Sequence, residues 1–227
     1  MISRSLHLAA QRAWSATLGR GARTLAVTGS EPDAGTAEAA FAIASAGAAF
    51  GKRVLLVRAF HSDPCQPPAK LETDAQSVIA AARPAGDLLW QLDVPTRTAM
   101  HALLNDGQHL PSVIATWLAH FDAVVFDCPP FEAEQPPIYT PLTASAADAV
   151  LLVTLPGTSP RAAMDEVLKW LGESGAILSA LVLNDRKNPT LAQEMIREAR
   201  RFARLAPGLV RWIERRIGGW TALNTHR

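Results

Sequence analysis

Six short runs of aliphatic and β-branched residues, at 24–28, 53–57, 88–92, 123–126, 149–154 and 177–183, recur along the chain with helix-length segments between them. Several are apolar at every position, as strands buried on both faces of a parallel sheet require. The intervening segments carry helix signals. Segment 36–50 is rich in alanine and free of proline, whereas 111–120 and 160–173 each open on a proline, which is tolerated where a helix begins. Gly51, Gly107 and Gly175 follow these or neighbouring segments as C-terminal stops. This alternation predicts a doubly wound, mostly parallel α/β sheet flanked by helices. The 227 residues, 48% of them hydrophobic, suffice for one such core. Segment 59–73, with three prolines, reads as an irregular loop.

No apolar run reaches the length of a membrane span, and the N-terminus lacks the pattern of a secretory signal. Cys65 and Cys128 are too few for a disulfide framework and read as reduced thiols. A cytoplasmic location is therefore expected. The trio His61, Asp63 and Cys65 matches no common metal-site spacing, so no metal centre is expected. The net charge of +1 conceals an uneven distribution: residues 1–23 hold four arginines and no acid, and residues 197–227 hold eight arginines and two glutamates. The chain divides on this basis into a basic helical segment 1–23, an α/β domain 24–206 and a basic amphipathic tail 207–227.

Open α/β sheets bind ligands beyond the carboxyl ends of their strands, which directs attention to residues 28–37. A working phosphate loop there offers backbone N–H groups, a lysine for the β- and γ-phosphates, and a hydroxyl for Mg²⁺. Gly35 is in place. Thr36 occupies the lysine position and Ala37 the hydroxyl position, while Glu31 and Asp33 add negative charge. Coulomb's law sets these substitutions against a nucleotide triphosphate.

The ordered series of motifs resembles the MinD/ParA superfamily of P-loop proteins, and most nearly the bacterial tyrosine kinases of exopolysaccharide export. Gly51-Lys52-Arg53-Val54-Leu55-Leu56-Val57-Arg58-Ala59-Phe60 is similar to the family's second strand, with Arg58 where the family has its Walker A′ aspartate. Phe121 to Pro130 is similar to its Walker B strand and keeps the aspartate as Asp127. The run ending in Asn184 resembles the strand whose terminal asparagine often reads adenine. The resemblance implies a vestigial nucleotide site of Gly35, Thr36, Asp127 and Asn184; for Asp127 the alternative is a structural cap on the turn before Pro129, and for Asn184 a simple turn residue. The reversal at Arg58 has no evident compensation in the sequence. The C-terminal tyrosine cluster that such kinases phosphorylate is absent, Tyr139 being the one tyrosine, and by register Ala9, Arg12 and Ser15 stand where the family's oligomerisation helix has Glu-x-x-Arg-x-x-Arg.

The implied function is a pseudo-ATPase without catalytic residues or cofactor, serving as scaffold or regulator of a membrane-bound exopolysaccharide machine, cellulose among its candidate products. Its partners are then the machine's protein components, with a homodimer and contact with the inner membrane as further options. The alternatives are a nucleotide-binding switch, with Lys52 as the nearest substitute cation, and a ParA-like positioning ATPase. In the tail, Leu209, Ile213, Ile217 and Trp220 fall at helical spacing with Arg211 and Arg215 off the stripe. That pattern fits membrane or partner contact, and equally a helix docked on its own domain. With no DNA-reading motif, nucleic acid is not an expected partner.

Overall fold

The computed structural model describes residues 4–60, 80–131, 136–156 and 161–185. Apart from Leu155, Pro156 and Asp185, these belong to one compact unit. The tail residues Leu209, Arg211, Ile213, Arg215, Ile217 and Trp220 lie outside the described residues, as do His61, Asp63 and Cys65.

The elements run α1 (Arg4–Ala16), β1 (Thr24–Gly29), α2 (Thr36–Ala49), β2 (Val54–Phe60), β3 (Arg83–Pro84), β4 (Leu89–Pro95), α3 (Ala99–Leu104), α4 (Leu110–Leu118), β5 (Ala123–Asp127), α5 (Thr140–Ala146), β6 (Ala149–Thr154), α6 (Arg161–Glu173) and β7 (Leu178–Leu183). Among the described residues the strands form one sheet in the order β3-β4-β2-β5-β1-β6-β7. All neighbours are parallel except β3, which pairs antiparallel with β4. The expected doubly wound sheet is present. No helix among the described residues is long and apolar enough to cross a membrane.

Both faces of the sheet are covered. Leu25, Val27, Leu56, Val125 and Leu151 pack beneath α1 and α2, and Val57, Val124, Phe126 and Leu152 pack with residues of α3 to α6 on the opposite face. This explains why the central runs are apolar at every position rather than alternating.

Three elements were not anticipated from sequence. Helix α3 is only six residues long, too short to display a period, and is started by Thr98, whose Oγ1 accepts from His101 N–H at 3.1 Å. Helix α5 follows the Pro136-Pro137 segment and tolerates Pro141 because it falls in the first turn. Strand β3 is two residues of edge pairing. Gly51 and Gly175 adopt left-handed conformations at φ 77 and 73, as stops should, but Gly107 is not among the glycines of positive φ. Its constraint is steric instead, since a Cβ there would stand 3.0 Å from Leu142 Cδ1.

The packing of α1 on α2 depends on one small residue. Ala10, Ala13 and Trp14 of α1 are buried, and a Cβ built on Gly47 of α2 would overlap the Trp14 ring. Gly47→Ala gains about 1 kcal/mol of helix propensity but overpacks the contact at a cost of about 1–3 kcal/mol. Urea unfolding is expected to show a net loss of about 1 kcal/mol, and in a Trp14→Ala background the same substitution should become stabilising. Additive behaviour of the two changes would contradict this packing.

Candidate functional site: a phosphate-loop backbone without its cation

Strand β1 lies between β5 and β6, with Val27 beside Asp127 and Gly29 beside Val153. The loops leaving β1 and β5 therefore emerge side by side at the carboxyl end of the sheet, at the crevice where such folds bind ligands. From β1 the chain turns through Ser30 to Ala34 into α2, whose N-cap is Gly35 at φ 90. Asp33 is also in the left-handed region, at φ 61, a conformation glycine adopts more easily. The first N–H groups of α2, including those of Thr36 and Ala37, have no acceptor within the helix. The backbone path of a phosphate loop is present.

Its side chains are of another kind. The Ala34 methyl is buried, its N–H donates to the Glu31 carbonyl at 3.3 Å, and a Cβ at Gly29 would lie 3.0 Å from Ala34 Cβ and 3.1 Å from Thr36 Cγ2. The loop is thus packed with small aliphatic groups. Thr36 and Ala37 bring neither an ammonium group nor, at the second position, a hydroxyl.

Asn184 reaches the site from the end of β7. Its amide Nδ2 donates to the Ala34 carbonyl at 2.8 Å, and its backbone N–H donates to the Thr154 carbonyl at 2.8 Å. A Cβ at Gly35 would collide with that amide group. Gly35 is thus required both by its φ and by the side chain lying against it.

The retained acid has a partner that sequence reading did not supply. Arg58 of β2 and Asp127 of β5 are register neighbours, and Arg58 Nε donates to Asp127 Oδ2 at 3.2 Å. The reversal at Arg58 is therefore compensated, contrary to expectation, by Asp127 itself. In the turn that follows, the Pro129 carbonyl is held by the hydroxyls of Thr28 and Thr140, each donating at 2.7 Å. Burial pushes the Asp127 carboxyl above its ordinary pKa; the Arg58 charge and hydrogen bond oppose that shift, and Glu38 adds to it. Cys128, next in the chain, is fully buried, and burial pushes its thiol well up, which suits an inert thiol.

The groups that a magnesium nucleotide would meet here are changed in two places. The carboxylate that would face the metal is held by a guanidinium, and no lysine stands on the loop. Lys52, the substitute considered for a switch, lines a cavity of about 440 Å³ with Trp14, Arg23 and Asp122 at the opposite end of the strands. Sequence reasoning also missed a row of buried hydroxyls: Ser30 Oγ donates to Thr154 Oγ1 at 3.0 Å, joining the ends of β1 and β6. Their signal, a Ser or Thr at the ends of β1 and β6, was legible but unspecific.

This arrangement defines a P-loop NTPase-like α/β domain. More particularly, the chain has the MinD/ParA-type fold. It is similar to the VpsO kinase domain (TM-score 0.59, 18% identity, 78% of this chain and 95% of that one) and to the BceF tyrosine kinase domain (TM-score 0.56, 22% identity, 80% and 75%). It is likewise similar to the cell division ATPase MinD of Pyrococcus furiosus (TM-score 0.53, 23% identity, 78% and 80%). No family model and no curated protein matches the sequence.

The ion pair generates a pH-dependent expectation. Asp127 is 13% exposed in its side chain and Arg58 42%. Arg58→Ala should therefore cost less than the ~3–5 kcal/mol of breaking a fully buried pair and more than an exposed one, about 1–2 kcal/mol at neutral pH. The folded carboxyl pKa is raised, so the unfolded chain ionises first as pH rises, and stability contributed by this group is lost through the folded pKa. Without Arg58 that pKa climbs further. Melting curves from about pH 4 to pH 7 should show the deficit of Arg58→Ala shrinking toward acid, and a deficit independent of pH would refute the assignment.

Proposed function

We propose that this protein is a MinD-like pseudo-ATPase that acts through its surfaces as a scaffold or regulator and not through nucleotide hydrolysis. The observation that carries the reading is the Arg58–Asp127 pair: a fixed cation of the protein occupies the carboxylate on which a metal would depend. Charge developing on a transferred phosphoryl group must be met by preorganised cations in a poorly hydrated site. Thr36 supplies none, and Ala37 offers no ligand to a metal. Loss of such stabilisation is worth several kcal/mol, about a thousandfold or more in rate.

The setting we infer is a membrane-associated machine that makes or exports an exopolysaccharide, with cellulose as the candidate polymer and the machine's proteins as partners. This rests on the sequence resemblance to tyrosine kinases of exopolysaccharide export and on the likeness in fold to the VpsO and BceF kinase domains. Tyrosine autophosphorylation is not part of the proposal, because Tyr139 is the chain's one tyrosine. The competing reading is a nucleotide switch or ParA-like positioning ATPase. It is favoured by the loop backbone and disfavoured by the position of Lys52.

The purified chain should release no phosphate above a protein-free control and show no rise in melting temperature with millimolar Mg²⁺-ATP. The triple substitution Thr36→Lys, Ala37→Thr, Arg58→Asp should gain an ATP-dependent rise. Saturable micromolar affinity of the unmodified chain, abolished by a bulky residue at Gly35, would sink the pseudo-ATPase reading and promote the switch. Purified protein should also carry no phosphate on Tyr139 by mass spectrometry.

A further inference from the structure

Helix α1 has two opposed stripes. Ala10, Ala13 and Trp14 face the core, while Leu8, Arg12 and Ser15 are exposed. Half-buried Ala16 and exposed Arg20, the latter in the short turn after the helix, extend the same side, and Phe50, at the end of α2, closes its far side. These residues, with Gln11, line a groove of about 460 Å³. Leu8 and Phe50 are 50% and 48% exposed, large apolar side chains that a solvated surface does not require. Arg12 and Arg20 form no ion pair among the described residues, and residues 1–23 contain no acid at all.

We propose that this groove binds an acidic segment of a protein partner, whose apolar side chain seats between Leu8 and Phe50 while its carboxylates meet Arg12 and Arg20. Two unneutralised guanidinium groups of one sign select for carboxylates, and planar guanidinium suits their bidentate geometry. Two apolar side chains are too few to anchor a surface in lipid, which favours a protein chain over a bilayer. The groove is formed by α1, the short turn after it and the end of α2, so the proposal is independent of whether the phosphate loop binds nucleotide.

The test is selection of a displayed random-peptide library on the full-length chain, with counter-selection on Arg12→Glu/Arg20→Glu. Selected sequences should combine Asp or Glu with Leu or Phe. A synthetic peptide of the consensus should bind saturably, weaken with salt, and lose about tenfold or more in affinity to the charge-reversed chain and to Leu8→Ser/Phe50→Ser. Arg12 and Arg20 are exposed and Leu8 and Phe50 about half exposed, so melting temperatures should hold for the charge reversal and fall only slightly for the serine pair; should the reversed chain unfold, Arg12→Gln/Arg20→Gln replaces it. No enrichment, a consensus without acids, or binding that survives the reversals would overturn the proposal. So would arginine-dependent binding to phosphatidylserine vesicles in the absence of any selected peptide, which would assign the groove to lipid.

Discussion

Strand β1 is buried along all six residues and hydrogen-bonded on both edges, to β5 and to β6, and this enclosure organises the rest of the molecule. A strand with no free edge and no wet face can change direction only at its ends. Its carboxyl end must therefore deliver the chain into a tight turn before α2 can pack back over the sheet. Gly35 and Asp33, both at positive φ, make that turn, and Asn184 fastens it from β7. The loop is thus a requirement of the fold before it is a requirement of any ligand. That is a physical reason for this backbone to form with no lysine on the loop.

Charge at the carboxyl end of the sheet obeys the same economy of space. Parallel register brings the residues following Val57 and Phe126 into contact, so whatever stands at position 58 faces the carboxylate of Asp127. Two acids in that place repel unless a metal lies between them; an arginine removes the repulsion and needs no metal. The pairing is not free of cost. Asp127 remains a largely buried carboxyl whose ionisation burial opposes, and Glu38 stands near enough to add to that opposition. Arg58, partly exposed, keeps enough contact with water to limit its own desolvation.

The sheet was legible in the sequence because its strands are apolar throughout, and a run such as 149–154 has no other stable use in a chain of this composition. Helices of nine or more residues were legible for the same reason. The short ones were not: α3 announces itself only through Thr98, and α5 is masked by prolines that also suit a loop. At the site, the missing lysine and hydroxyl could be read from Thr36 and Ala37 directly, because absence of a functional group needs no coordinates. The Arg58–Asp127 contact joins residues 69 apart and depends on the strand order, with β5 inserted beside β2. No local pattern encodes that order. The same is true of Asn184 and Ala34, 150 residues apart, whose hydrogen bond turns a residue read as an adenine contact or a turn into a brace for the loop.

That brace bears on how the fold could carry a function without chemistry. In a nucleotide-driven protein of this architecture the loop is a natural place for two states, because a phosphate supplies differential contacts that no other ligand does. Here the contacts available to the loop are internal. The Asn184 amide holds the Ala34 carbonyl, the Ala34 and Thr36 side chains fill the space beside Gly29, and a guanidinium sits on the acid. Each is made by the chain's own groups, so each stabilises this arrangement of the loop. A ligand that makes no differential contact shifts no population. Under the proposed function, surfaces supported by such a core, the basic stripe of α1 among them, would be presented constantly, and their occupancy would be set by the partner's concentration and charge rather than by a nucleotide cycle.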